Sequence, residues 1–158
     1  MESLATQLGQ RLKAQGARLV TAESCTGGWV AQVVTSVAGS SEWFERGFVT
    51  YSDDSKQELL GVRAATLARY GAVSEETARE MAQGALARSK GTLALSVTGI
   101  AGPGGGSRDK PVGMVCFAWA GKQAVAAQTQ RFSGDRDSVR RQSVIRALEG
   151  VLEHLAGG

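Results

Sequence analysis

Apolar residues recur at helical spacing in several segments of the chain. Leu4, Leu8 and Leu12 lie four residues apart, which indicates an amphipathic helix near the start. Ser74 is followed by two glutamates, so a second helix is predicted with a serine N-cap and acidic residues at the positive end of its dipole. By the same reasoning, helices are predicted over residues 3–15, 29–34, 52–60, 74–89 and 135–155.

Short apolar runs between these segments have the length and composition of buried β-strands. They cover residues 18–22, 44–51, 92–98, 112–120 and 124–132, and Gly121 and Lys122 between the last two predict a hairpin. Strands and helices alternate until the hairpin and the final helix. This order predicts an α/β fold in which helices cover both faces of a mixed sheet. No repeat or linker divides the chain, so a single domain over residues 1–158 is expected.

Composition and charge exclude several classes of protein. Hydrophobic residues make up 42% and charged residues 21% of the 158 residues, which is typical of a soluble globular protein. The formal net charge of +3 is dispersed rather than gathered in a basic tail, so no nucleic-acid partner is expected. No apolar run is long enough to span a bilayer, and the N-terminus does not have the pattern of a signal peptide. A cytoplasmic protein without a membrane partner is therefore predicted.

The first candidate for chemistry is the junction from Glu23 to Gly28, between a predicted strand and a predicted helix. Ser24 and Thr26 supply hydroxyls, and Gly27 allows backbone amides to approach a ligand without a Cβ in the way. The start of a helix adds amides and a positive dipole end, which suit a phosphate or a developing oxyanion. The alternative is that one of the hydroxyls only caps the helix.

The second candidate is the glycine-rich loop after the strand that ends at Thr98. It contains Gly102 but lacks the Gly-Lys-Ser/Thr ending of a phosphate-binding Walker A loop, and Ser107 replaces the last glycine of a dinucleotide-binding GxGxxG motif. The alternative is a mobile connection between strands. Two glycine-bearing strand ends in one small sheet nevertheless indicate a shared crevice.

The third candidate is the segment from Tyr51 to Lys56, with Ser40 and Ser41 just upstream. A lysine whose pKa is lowered by burial or by neighbouring cations can act as general base for a serine, and a tyrosine at a strand end can relay a proton. The alternative is a solvated lysine on a short helix. Cys25 is a rival nucleophile, because the N-terminus of a helix lowers the pKa of a thiol.

Two further observations narrow the chemistry. The single histidine, His154, lies near the end of the last predicted helix, so a Ser-His-Asp triad or a multi-histidine metal centre is not expected. Cys25 and Cys116 lack metal-ligand spacing, and no metal site is predicted. Arg136 and Arg140 open the last helix, where cations oppose the helix dipole. Their presence there is explained either by an anionic ligand that they bind or by a salt bridge with an Asp or Glu elsewhere in the protein.

Several ordered motifs together resemble the CinA C-terminal domain family. They extend over about residues 5–155 and comprise Ala22-Glu23-Ser24-Cys25-Thr26-Gly27-Gly28, Tyr51-Ser52-x-x-x-Lys56, Gly71-Ala72-Val73-Ser74, Val97 to Gly105, and Gly134-Asp135-Arg136-x-x-Val139-Arg140. The resemblance implies a three-layer α/β/α sandwich without a metal or organic cofactor. It also implies an amidohydrolase that converts nicotinamide mononucleotide and water to nicotinic acid mononucleotide and ammonia in pyridine nucleotide recycling.

The resemblance implies roles for particular residues. In the family, a serine and a lysine carry the chemistry, and the resemblance implies Ser41 as nucleophile, Lys56 as base and Tyr51 as proton relay. Ser24 is a competing serine. Substrate binding falls on Ser24, Thr26, Gly27, Thr98, Gly102, Arg136 and Arg140. The family pattern has an asparagine where this chain has Asp53, and a carboxylate near Lys56 would raise the pKa of that lysine.

Other functions remain open from the sequence. A nucleotide-binding module without turnover would keep the same phosphate-binding residues, and a competence-associated or damage-associated module is the other alternative. An esterase or phosphatase would use the same serine on another substrate. The apolar terminal helices also lead us to expect a homodimer.

Overall fold

A five-stranded mixed sheet forms the centre of the protein. The structure is a computed structural model that describes residues 1–157. The strands are β1 (Leu19–Glu23), β2 (Phe44–Val49), β3 (Leu93–Gly99), β4 (Met114–Ala120) and β5 (Val125–Arg131), and their order in the sheet is β2-β1-β3-β4-β5. β1 pairs in parallel with β2 and β3, whereas β4 is antiparallel to both β3 and β5.

Helices cover both faces of this sheet. They are α1 (Glu2–Ala14), α2 (Trp29–Thr35), α3 (Asp53–Leu60), α4 (Ala64–Tyr70), α5 (Glu75–Ala87) and α6 (Arg136–Gly157), and a short 3-10 helix spans Ser40–Glu42. One apolar core joins α1, α2 and α6 to one face, and a second joins α3, α4 and α5 to the other. The expected α/β class and three-layer α/β/α arrangement with a mixed sheet are confirmed.

The order and direction of the strands explain where a crevice opens in the sheet. β1, β3 and β4 are buried along almost their whole length, because helices lie on both sides of them. β1 lies between its two parallel partners, and the connections from β1 to β2 and from β2 to β3 run on opposite faces. This reversal opens a crevice at the carboxyl ends of the parallel strands, which is the usual location of ligand sites in such sheets.

The sequence prediction missed α4. Its N-terminal backbone amide at Arg63 donates to Glu80 Oε1 at 2.9 Å, and the hydroxyl of Thr66 donates to the other oxygen of the same carboxylate. Glu80 lies in α5, so the carboxylate that binds the start of α4 comes from a different helix and leaves no local signature.

The close approach of α3 and α5 depends on a glycine. A Cβ added at Gly84 of α5 would overlap the carbonyl oxygen of Leu60 at the end of α3. This packing holds α3 against the second core, and α3 carries Lys56.

The terminal helices pack on each other within one chain. α1 buries Ala5, Leu8 and Leu12, and α6 contacts both α1 and the sheet. The apolar faces that led us to expect a homodimer are therefore covered internally. Among residues 1–157, every helix is too short or too polar to cross a bilayer.

Candidate active site

A pocket of about 210 Å³ opens at the carboxyl ends of β1, β2 and β3. Register places Glu23 at the end of β1 opposite Val49 of β2 and Val97 of β3, so the residues that follow these strands converge. The pocket is lined by Ser24, Cys25, Tyr51, Asp53, Lys56, Ala72, Val73, Thr98, Gly99, Ala101 and Arg136.

Lys56 and Ser24 make the central contact of this pocket. The ammonium nitrogen Nζ of Lys56 lies 3.1 Å from Ser24 Oγ, and both side chains are buried. Nζ also donates to the backbone carbonyls of Thr50 at 3.0 Å and Tyr51 at 3.2 Å. A neutral amine has two N–H bonds and one lone pair. The charged ammonium donates to the two carbonyls and to Ser24 Oγ; in the neutral amine, with the two carbonyls accepting its N–H bonds, the lone pair is directed at the serine hydroxyl.

Burial favours this neutral form of the lysine. The Lys56 side chain is only 1% exposed, and desolvation lowers its pKa below the ordinary value of 10.5. Asp53 opposes the change, because its negative charge raises the pKa of Lys56. The carboxylate expected to act on this lysine therefore does act on it, but burial has the larger effect.

Ser41 does not reach this pocket. It lies exposed in the 3-10 helix before β2, whereas Lys56 follows β2. β2 is six residues long, so about 20 Å of strand separates the two. The expected pairing of Ser41 with Lys56 within one chain is corrected, because the serine that contacts Lys56 is Ser24.

The loop from Ser24 to Gly28 is organised by the preceding residue, Glu23. The Glu23 side chain is fully buried and accepts from the Thr26 hydroxyl at 2.6 Å. It also accepts from the amides of Gly28, Val30 and Ala31 at 3.2, 2.9 and 3.0 Å. A carboxylate of the protein therefore occupies the N-terminus of α2. The expectation that these amides and the Thr26 hydroxyl bind a phosphate is corrected.

Arg140 holds the other side of the same loop. Its Nε donates to the carbonyl of Cys25 and its Nη2 to the carbonyl of Thr26, each at 3.1 Å. The guanidinium also lies over the ring of Trp29. Gly27 adopts the left-handed conformation, and its amide donates to the Ser24 carbonyl, so it is engaged within the loop.

Tyr51 and Arg136 form the rim of the pocket. The Tyr51 side chain is 64% exposed, and its phenol oxygen accepts from Arg136 Nη2 at 3.4 Å rather than contacting Lys56 or Ser24. Arg136 Nη1 donates to the Gly102 carbonyl at 2.8 Å. Tyr51 reaches Ser24 and Lys56 through its backbone carbonyl only, which does not support a proton relay through the phenol.

Thr98 supports the wall of the pocket. Its buried hydroxyl donates to the carbonyl of Ala72 at 3.0 Å and so ties the end of β3 to the segment before α5. A neighbouring pocket of about 470 Å³ shares Ala101 and Arg136 with the first and extends to the start of α6. A ligand larger than one ring can therefore continue from the first pocket along Arg136.

Cys25 also lines the pocket, but its thiol is not activated. Burial raises the pKa of Cys25 to about 12, because the charged thiolate is disfavoured away from water. At neutral pH the thiol stays protonated, which favours Ser24 as the nucleophile. Both cysteines are free and buried, and residues 1–157 contain no group of three His, Cys, Asp or Glu side chains arranged to hold a metal ion.

Sequence reasoning missed Glu23 as the organiser of the loop. A signal for the Ser24–Lys56 contact was present. Ser24 and Lys56 each follow a strand, whereas Ser41 precedes one, and residues that follow parallel strands meet at the same edge of the sheet.

The chain is similar to several known proteins over nearly its whole length. Residues 1–155 match the family described as CinA C-terminal domain. The protein named nicotinamide-nucleotide amidohydrolase PncC from Escherichia coli (strain K12) is 57% identical over 151 residues, which are 95% of this chain and 92% of that protein. The protein of the same name from Pseudomonas putida is 49% identical over 151 residues, covering 96% and 94%. The crystal structure of a competence-damaged protein (CinA) superfamily protein from Klebsiella pneumoniae 700603 has a TM-score of 0.96 and 40% identity, covering 99% and 98%.

Proposed function

The chain belongs to the CinA C-terminal domain family, and we propose that it hydrolyses the carboxamide of nicotinamide mononucleotide to nicotinic acid mononucleotide and ammonia. The observation that carries the mechanism is the contact of 3.1 Å between buried Lys56 Nζ and Ser24 Oγ. The names of the relatives supply the substrate class, because proteins up to 57% identical are called nicotinamide-nucleotide amidohydrolases.

The first half of the proposed reaction is acyl transfer to Ser24. Neutral Lys56 takes the hydroxyl proton of Ser24 as Ser24 Oγ attacks the carboxamide carbon. The tetrahedral oxyanion is stabilised by backbone amides next to the nucleophile, those of Cys25 and Thr26. When the C–N bond breaks, Lys56 returns the proton to the leaving nitrogen, and ammonia departs from an ester on Ser24.

The second half releases the acid. Water attacks the ester carbonyl and gives a proton to Lys56, and the C–O bond to Ser24 then breaks. Lys56 returns this proton to Ser24 Oγ, so the enzyme is regenerated. Every proton transfer uses the same lysine, which is held by the carbonyls of Thr50 and Tyr51 throughout.

The remainder of the substrate is proposed to lie along Arg136. The first pocket, of about 210 Å³, suits the pyridine ring, and the adjoining pocket at the start of α6 suits the ribose and phosphate. Arg136 borders both pockets and is exposed, so it is the cation available to the phosphate. Thr98 and Gly102 serve this site through the wall and rim that they support.

Ammonia release tests the proposal directly. We expect the purified chain to release ammonia from nicotinamide mononucleotide, with nicotinamide and NAD as comparison substrates. Ser24→Ala should lower kcat by at least about 1000-fold, and Ser41→Ala should change it by less than about twofold. An inactive Ser41→Ala together with an active Ser24→Ala would overturn the choice of nucleophile.

The location and assembly of the protein are also proposed rather than established. Two free, buried thiols suit a reducing compartment such as the cytoplasm, where pyridine nucleotides are recycled. A homodimer remains a prediction, and light scattering coupled to size-exclusion chromatography measures it. Tight binding of nicotinamide mononucleotide without ammonia release would support the alternative, a nucleotide-binding module without turnover.

A further inference from the structure

The loop that carries Ser24 is fixed from two sides by side chains that lie outside the pocket lining. On one side, the carboxylate of Glu23 accepts hydrogen bonds from the Thr26 hydroxyl and from the amides at the start of α2. Arg140 binds acceptors from the other side, the carbonyls of Cys25 and Thr26. Neither Glu23 nor Arg140 is among the residues that line the pocket around Lys56.

The hydrogen bonds of Arg140 determine where the loop amides point. In a trans peptide group, the N–H points opposite to the C=O. Because the Cys25 carbonyl faces Arg140, the N–H of Thr26 faces the opposite direction. The Ser24 carbonyl is bound in the same way by the Gly27 amide, which orients the N–H of Cys25.

These two amides are the loop donors that no other residue engages, although the amide of Cys25 donates to its own sulfur. Within residues 1–157, no carbonyl or side chain of another residue accepts from the amides of Cys25 and Thr26. The amides of Gly27, Gly28 and Val30 are all engaged. Among the loop amides, only the two beside the nucleophile therefore have no partner in another residue, and an oxyanion develops there in acyl transfer.

We infer that Glu23 and Arg140 form a clamp that positions Ser24 and the amides of Cys25 and Thr26 for catalysis without touching the substrate. The inference rests on the proposed function, and it assigns Arg140 to the loop instead of the substrate phosphate. Glu23 is suited to the role because its carboxylate accepts all four donors at once. Glu23 and Arg140 are therefore positioning residues, because they affect catalysis only by holding the loop that carries Ser24.

Arg141 offers a matched control for Arg140. Both guanidinium groups lie over the ring of Trp29, at 5.4 Å for Arg140 and 5.3 Å for Arg141. Arg141 pairs with Asp137 at 3.9 Å and makes no hydrogen bond to the loop among the described residues. Removing either arginine deletes one positive charge from α6 and one contact with Trp29, but only Arg140→Ala removes the two bonds to the loop carbonyls.

The test compares Arg140→Ala with Arg141→Ala in ammonia release from nicotinamide mononucleotide. Arg140→Ala should lower kcat by about 100-fold, the loss expected when a reacting group is misplaced by about 1 Å, and should change KM by less than about threefold. Arg141→Ala should leave both constants within about twofold of the wild type. Glu23→Gln should resemble Arg140→Ala, because the amide group of glutamine places a donor where the carboxylate accepted one. If Glu23→Gln does not fold, Arg140→Ala decides alone.

Direct binding separates the clamp from a phosphate contact. In an Ser24→Ala background, adding Arg140→Ala should change the Kd for nicotinamide mononucleotide by less than about threefold if Arg140 only positions the loop. A weakening of about tenfold or more would show that Arg140 holds the substrate and would overturn the inference.

A probe without a nucleotide separates failure of the clamp from failure of the proposed function. An alkyl fluorophosphonate should label Ser24 of the wild type and of Arg141→Ala, and Arg140→Ala should slow this labelling by about 100-fold. Suppose that the wild type releases no ammonia but is labelled quickly, and that Arg140→Ala is labelled slowly. The proposed substrate would then be wrong, and the clamp would still stand. Equal labelling of both arginine variants, or no labelling of Ser24 in the wild type, would overturn the clamp.

Discussion

The two ends of the parallel strands carry serines with different surroundings. At the carboxyl end, Ser24 is buried, contacts Lys56 and lies on a loop whose hydrogen bonds are almost complete. At the amino end, Ser41 is exposed and makes no side-chain hydrogen bond within residues 1–157, and Trp43, two residues further on, packs into the core. The contact with Lys56 therefore depends on which end of a strand the serine occupies, because Lys56 lies in α3, beyond the carboxyl end of the neighbouring parallel strand β2.

This difference has an electrostatic counterpart. The carboxyl end buries a lysine and a glutamate, which is costly unless each is hydrogen-bonded. Lys56 finds two carbonyls and a hydroxyl, and Glu23 finds a hydroxyl and three amides. At the amino end, the ion pair of Lys13 with Glu42 is exposed and contributes about 1 kcal/mol or less. Both of these buried ionisable groups therefore lie at the carboxyl end, where the proposed chemistry takes place.

The largest expected effect comes from removing the buried base. Lys56→Met keeps an unbranched side chain of similar length but has no lone pair to accept the serine proton. We expect kcat for ammonia release to fall by about 100-fold to 10,000-fold. Lys90→Met, at an exposed lysine just before β3 at the amino end, should retain full activity. If Lys56→Met kept more than about a tenth of the activity, the Ser24–Lys56 mechanism would be wrong.

A substitution at the amino end should change stability and not catalysis. Gly9 of α1 packs against the indole of Trp43, and an added Cβ would lie 2.6 Å from that ring. Gly9→Ala should therefore lower the free energy of unfolding by about 1–3 kcal/mol, measured by urea denaturation. kcat should remain that of the wild type at temperatures where the variant is folded. A large fall in kcat would show that the two ends are coupled.

The charge of Asp53 should be visible in the pH dependence. Activity requires neutral Lys56, so it should rise with pH through the pKa of this lysine, which burial places below 10.5. Asp53→Asn removes a charge that raises this pKa, so the rise should move to lower pH. At pH values below the pKa of Lys56, kcat/KM of Asp53→Asn should exceed that of the wild type by up to about fivefold, because an exposed charge interaction is worth about 1 kcal/mol or less. A shift to higher pH would contradict the assignment of Lys56 as the base.

The smallest effect is expected at the rim. Tyr51→Phe removes only the phenol oxygen that accepts from Arg136, and the backbone carbonyl that holds Lys56 stays in place. We expect kcat to fall by no more than about threefold, with any larger effect confined to KM. Loss of kcat by about 30-fold would restore the phenol as a proton relay.

Much of the fold was predictable because local patterns report burial. Ser74 marks the start of α5, and its side chain accepts from the amide of Thr77 as its N-cap. The apolar runs of β3 and β4 match strands that are buried on both faces. The failure at α4 shows the limit, because the carboxylate of Glu80 that binds the start of this helix lies in α5.

The candidate site was predictable in residue types but not in their pairing. Lys56, Tyr51 and Arg136 do line one pocket, as the motifs suggested. Thr26 and Arg140, expected at the substrate, instead bind Glu23 and the loop carbonyls. Glycines and hydroxyls at a strand end are compatible with a phosphate site and with a loop that satisfies its own backbone. Only the partners of each group distinguish the two.

The amino-acid sequence alone therefore carries the class of fold, the order of most helices and strands, the family resemblance and the set of polar residues near the strand ends. Tertiary structure decided which serine meets the lysine, what occupies the N-terminus of α2 and what the arginines of α6 bind. The physical reason is range. Periodicity and capping act over a few residues, whereas Ser24 meets Lys56 across 32 positions and Cys25 meets Arg140 across 115. Contacts of that range depend on strand order, direction and register, which exist only in the folded protein.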